Sequence, residues 1–123
     1  MRSTSHDKHD VSTAPWQGRV RIHLDDTVIA DSERAVVLHE TGLPDVYYLP
    51  REDVRTDLLE PTPRQTHCPY KGDAVYWTVR TPRRVAENAV WSYLEPLEKV
   101  SDIRGHMAFY ADRVDRVEVR SGD

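Results

Sequence analysis

Cysteine is nearly missing from this chain: Cys68 stands alone among 123 residues. One cysteine excludes an intramolecular disulfide and fits a reducing cytoplasm. It also leaves no Cys-x-x-Cys pair, and a structural zinc needs four ligands with paired close spacings, so no metal site is expected. No apolar run approaches the roughly 18 residues a membrane helix requires, and the opening MRSTSHDKHD carries no apolar signal core. A soluble cytoplasmic protein with no membrane partner is the expectation. The few glycines form no Gly-x-Gly-x-x-Gly, no Walker-type loop and no Gly-x-Ser-x-Gly, so the familiar phosphate cradles and the nucleophile elbow are absent. An excess of positive charge is lacking too. Lys and Arg number 17 against 21 Asp and Glu, a net charge of −4, which is not the basic footprint of a nucleic-acid binder. Of the basic residues 14 are arginines, whose planar fork suits phosphate or carboxylate, although a genome rich in Arg codons explains the bias as well.

What remains is polar yet globular. Apolar residues make up 38% and charged ones 31%, enough for one small core if strands supply it. Residues 1–15, mostly Ser, Thr, His, Asp and Lys, read as a disordered leader in which His6 and His9 are solvated. Residues 16–120 read as one domain and 121–123 as a tail. Val20, Ile22 and Leu24 alternate with Arg19, Arg21 and His23, the pattern of a half-buried strand, and Asp25-Asp26 turns it back into Thr27–Ala30. Ala35–Leu38 and Val46–Leu49 read as further strands. Pro50–Leu59 changes to a helical period and predicts one short helical segment. Pro61 and Pro63 predict an extended loop. Asp73–Arg80 is the clearest strand, residues 89–94 pair beside it, and Ile103–Tyr110 with Val114–Val119 reads as a closing hairpin. The expected fold class is mainly β, a single compact antiparallel β domain.

The chemistry concentrates in Thr66-His67-Cys68-Pro69-Tyr70-Lys71-Gly72-Asp73. Three prolines stiffen this loop and its approach, and stiffness is what a preorganised site needs. Cys68 as thiolate is a candidate nucleophile, with Lys71 or His67 beside it to favour the charged form or move a proton. Lys71 is equally a clamp for a carboxylate or phosphate. The plain alternative is a buried Cys68 that packs as a small apolar group. His67 and Cys68 are neighbours in an extended segment and point apart, which argues against one shared metal. Tyr70, Trp77 and Trp91 are candidate walls of a ligand site, with His106 and Asp73 as further polar contacts, while core packing accounts for the tryptophans equally well.

Several strings together resemble one family: Glu40-Thr41-Gly42-Leu43-Pro44, Tyr47-Tyr48-Leu49-Pro50-Arg51-Glu52-Asp53-Val54, Leu58-Leu59-Glu60-Pro61, the His-Cys-Pro-Tyr-Lys-Gly loop, Tyr76-Trp77, Ala89-Val90-Trp91-Ser92-Tyr93 and Gly105-His106-Met107-Ala108-Phe109-Tyr110. They are similar to the bacterial and fungal "domain of unknown function 427" family, over about Val20 to Val119. The resemblance implies a β-tent shape of the Mss4-like type, whose relatives hold zinc or an aromatic cage; the zinc knuckles themselves are not in this sequence. That family sometimes carries a nucleotidyltransferase label.

Two functions follow as expectations. One is a small-molecule site, enzymatic or not, on the 66–73 loop. The other is a non-catalytic binding or adaptor module, with a protein partner or a second copy, in which that loop is a structural corner. Nucleotidyl transfer is a third, implied by the resemblance alone. The residues name no cofactor.

Overall fold

The computed structural model describes residues 9–122 of the chain. Among them ten strands form three antiparallel sheets, so the expected mainly β architecture holds. The first sheet orders β1 (Val11–Pro15), β4 (Val36–Glu40) and β5 (Val46–Tyr48). The second orders β10 (Arg116–Ser121), β2 (Gly18–Leu24) and β3 (Thr27–Ser32). The third runs β6 (Leu59–Cys68), β7 (Gly72–Arg80), β8 (Val85–Tyr93) and β9 (Met107–Phe109).

The four-stranded sheet is buried on both faces. Along β7, Val75, Trp77 and Val79 join one core with Val20, Ile22, Leu24 and Ile29 of the β2–β3 sheet. Ala74 and Tyr76, pointing the other way, join a second core with Val11, Leu38 and Tyr48 of the β1–β4–β5 sheet. That double burial explains why β7 carries apolar side chains on both parities, where a strand with one wet face alternates with polar ones. Isolated backbone pairs tie the chain after β5 to this sheet and β3 to the 3₁₀ linker. Leu49 and Met107 exchange both hydrogen bonds at 2.8 Å, and Ala30 pairs with Val54 beside the 3₁₀ turns.

The Asp25-Asp26 turn has both residues near φ +55°, at 55° and 57°, the conformation that lets a two-residue hairpin follow the strand twist. The expected helical segment is a pair of 3₁₀ turns, Arg51–Asp53 and Thr56–Leu58, and a third, unexpected one spans Glu98–Ile103.

Four expectations are corrected. The leader does not extend to residue 15. Val11–Pro15 pairs with Val36–Glu40, Val11 fills the second core, and backbone pairing carries a segment whose side chains are mostly polar. Residues 1–8, His6 among them, lie outside the described residues. The Pro61–Pro63 stretch is strand rather than loop. It forms the outer strand of its sheet, where a missing N–H need cost no ladder bond, and the register slips between Thr62 and Gln65 to absorb Pro63. The closing hairpin is absent. Met107–Phe109 pairs with β8 while Arg116–Ser121 crosses to β2, so the two strands lie in different sheets although Met107, Phe109 and Val117 all pack into the first core. Ser121, expected in the tail, pairs with Gly18 as the last residue of β10.

Candidate functional site

The β6–β7 ladder closes where Cys68 faces Gly72, leaving Pro69, Tyr70 and Lys71 as the turn. The Lys71 N–H donates to the Cys68 carbonyl at 3.2 Å, and the Lys71 carbonyl accepts from Leu97 N–H at 3.0 Å. Gly72 sits at φ +118°, where a side chain is strained, and a Cβ there would stand 3.4 Å from the Glu95 carbonyl oxygen. The loop that carries so many reactive groups is thus a tight hairpin tip pinned from both sides.

Strand alternation then sorts its side chains. His67 points outward and meets Asp73 across the ladder, with Nδ1 2.6 Å from Oδ1 and both side chains solvent-exposed. Cys68, one residue on, is half-buried and packs against the second core, which includes Tyr48, Tyr76 and Tyr93. Lys71 reaches Glu40 at the end of β4, its Nζ donating to Oε1 at 2.6 Å. The other Glu40 oxygen lies 2.6 Å from His9 Nε2, and the His9 ring stacks on Tyr70 with centroids 4.2 Å apart. Glu40 is only 7% exposed. Burial alone would raise its carboxyl, but the hydrogen bonds and charge of Lys71 and His9 outweigh that and hold it below the ordinary carboxylate range.

Glu40 and Lys71 form the polar end of a cavity of about 430 Å³, walled by Leu43, Val46, Tyr47, Trp91, Phe109 and Tyr110. Trp91 is held from two sides. Its Nε1–H donates to the Tyr48 hydroxyl at 3.2 Å, and its ring lies 4.4 Å from that of Tyr110. Burial pushes the Tyr48 and Tyr93 hydroxyls well up, so both remain protonated partners inside the core. Behind the wall, the Tyr76 hydroxyl lies 2.8 Å from Thr66 Oγ1 and 3.5 Å from the Tyr110 hydroxyl. Burial, then the hydrogen bond with Tyr76, pushes Tyr110 up to about 12. Tyr76 moves the other way: burial opposes ionisation, but Thr66, Tyr110 and Arg64 together lower it.

The candidate residues divide among four places. Lys71 and Trp91 share the cavity, with Tyr70 and Cys68 in contact with its surroundings through His9 and the tyrosine cluster. His67 and Asp73 sit on the outer surface of the hairpin. Trp77 lies on the opposite face of the sheet, in the first core under the Arg51 guanidinium at 5.7 Å. His106 precedes β9 and its Nδ1 lies 3.0 Å from the Arg104 carbonyl. Ala108, two residues on, is fully buried in the second core. Among the described residues, no three His, Cys, Asp or Glu side chains cluster as a metal's ligands would. Sequence reasoning passed over Glu40 and Tyr48. Glu40 had a readable signal: Val36, Leu38 and Glu40 fall on one parity of a strand, which puts a carboxylate in line with buried Leu38.

The model of the family described as "Domain of unknown function (DUF427)" matches residues 12–120, and the chain belongs to that family. No curated protein matches the chain.

Proposed function

We propose that this member of a family of unknown function binds a small molecule with a flat apolar body and one polar end, in the cavity between Trp91, Tyr110 and the Lys71–Glu40 pair. The observation that carries the reading is the placement of that pair, largely buried, at the rim of a mainly apolar, aromatic-walled cavity that Asp45 also lines. One Lys71 proton is spent on Glu40, and the ammonium keeps two more donors for an anionic or carbonyl group. Trp91, held by Tyr48 and Tyr110, offers a fixed face for a planar ring. The reading is one of binding rather than covalent catalysis, since His67 and Cys68 stand on opposite sides of the hairpin and no base lies within hydrogen-bond distance of the thiol among the described residues.

The test is a ligand-observed NMR screen of planar aromatic fragments carrying a carboxylate, amide or ketone. Saturable binders lost in Trp91→Ala and weakened in Lys71→Met are the expected result. If folded Trp91→Ala retains every binder, the cavity is not the site.

The structural-corner reading has its own support in the same ion pair, because Lys71 is already occupied by Glu40. On that reading Lys71→Met lowers stability and leaves every fragment affinity unchanged.

A further inference from the structure

Acidic residues outnumber basic ones in this chain, 21 to 17, so a guanidinium without a carboxylate is not short of available partners. Most of the described arginines do have one: Arg19, Arg21, Arg34, Arg55, Arg80, Arg83, Arg84, Arg116 and Arg120 are all ion-paired to Asp or Glu. Arg64 and Arg113 are exceptions, and they converge on one spot. Arg64 lies 4.9 Å over the Tyr76 ring and Arg113 lies 4.9 Å over the Tyr110 ring. The two phenol oxygens are 3.5 Å apart, with Thr66 Oγ1 2.8 Å from the Tyr76 oxygen. Both guanidiniums therefore flank a single chain of three hydroxyls.

We propose that Arg64 and Arg113, with the hydroxyls of Thr66, Tyr76 and Tyr110 between them, form a binding site for a small oxyanion, the carboxylate or phosphate group of a ligand.

The chemistry is that of paired forks. A guanidinium presents several N–H donors in a plane that matches a carboxylate or phosphate edge. Stacking on a tyrosine fixes that plane without consuming donors. Arg113 is further steadied because its Nη1 donates to the backbone carbonyls of Glu87 and Asn88, at 3.0 and 3.3 Å, and its other nitrogens bond no carboxylate among the described residues. The Tyr76 hydroxyl, which burial would raise, is held below its ordinary value by Thr66 and Tyr110 and then by Arg64, which places that guanidinium beside the hydroxyl chain. Tyr110, protonated at any physiological pH, supplies a neutral donor. Arg51 and Arg104 also lack carboxylate partners, but Arg51 lies over Trp77 on the other face of the sheet, and no ring or hydroxyl chain links Arg104 to a second guanidinium. The site shares the Tyr110 ring with the cavity and does not depend on it: it stands whether or not Lys71 and Glu40 anchor a ligand.

Phenyl phosphate and benzoate are the two probes, titrated calorimetrically into the full chain at fixed ionic strength. Saturable binding of either, weakened about tenfold by Arg64→Gln or by Arg113→Gln and unchanged by Lys71→Met, is the expected result, and the tighter probe names the oxyanion class. Arg64→Lys keeps the charge and the stacking stem while removing the fork, so a loss in that folded variant also supports the site. Binding lost in Lys71→Met but kept in both Gln variants places the anion in the cavity and overturns the proposal while sparing the binding function. Absence of saturable binding by either probe overturns it as well.

Discussion

The two faces of the four-stranded sheet are both buried, yet they are built from different material. Toward β2 and β3 the core is Val20, Ile22, Leu24, Ile29, Val79, Val90, Met107 and Phe109, with Trp77 at its margin. Toward β1, β4 and β5 it holds Tyr48, Tyr76 and Tyr93, with Trp91, Tyr110 and Cys68 packed alongside and Glu40 at its edge. The first face has no hydroxyl to satisfy and can be close-packed for stability alone. The second buries phenols and a carboxylate, and Trp91, Thr66, Lys71 and His9 partner those of Tyr48, Tyr76 and Glu40. The same strands thus carry an apolar scaffold on one side and a polar face on the other, and the cavity opens where the two meet, walled by Ile22 and Phe109 of the first core as well as by Trp91 and Tyr110.

The contrast is sharpest where a substitution removes apolar volume. Leu24 is fully buried in the first core, and Leu24→Ala is expected to cost about 3 kcal/mol through lost transfer energy and the cavity left behind. Urea denaturation measures it. Fragment binding at saturating folded fraction stays at the wild-type level, because no group of the cavity's polar end is touched. A cost under about 1 kcal/mol would mean that the first face is not the scaffold.

A middle-sized effect belongs to the second face. Lys71→Met strands the Glu40 carboxylate in a nearly closed site, and a cost of about 1–3 kcal/mol is expected, the penalty of a buried polar group without its partner. Adding Glu40→Leu recovers most of it, since the buried carboxylate goes with its ammonium and only the His9 imidazole, which water reaches, loses a partner. Acid supplies the complementary measurement. Glu40 is held below its ordinary value of 4.5, so folding binds the ionised form more tightly than the unfolded chain does. That stabilisation is complete above about pH 4.5 and is lost as the pH falls through the lower folded value. Melting temperature against pH flattens over this window in Glu40→Gln; an unchanged slope would remove Glu40 from the account.

How much of this was legible follows from the range of the interactions concerned. The β2–β3 hairpin and β7 were readable because alternation and a two-residue turn are local. The lysine of the 66–73 loop stood out because its neighbours were unusual. Whether Trp77 and Trp91 share a face was not readable. It depends on the register that sets Tyr76 opposite Trp91, and on the irregularity near Asn88, whose φ is +51°. Val11–Pro15 was invisible as a strand, since its partner β4 lies more than twenty residues away and only Val11 marks the buried side. Glu40 was within reach, one step beyond the end of the alternation read as Ala35–Leu38.

The smallest effect separates two adjacent residues at the hairpin tip. His67 and Asp73 meet 2.6 Å apart, but both are open to water, where an ion pair is screened and its ordering entropy offsets its attraction. His67→Ala is therefore expected to change stability by no more than about 0.5 kcal/mol, against the larger loss from Lys71 four positions away. Thiol labelling follows the other parity: Cys68, turned toward the tyrosines, reacts more slowly in the folded protein than in urea, and His67→Ala leaves that ratio unchanged because the imidazole is on the far side of the strand. A labelling rate that rises to the unfolded value when His67 is removed would join the two residues into one site and erase the division between the outer surface and the polar core.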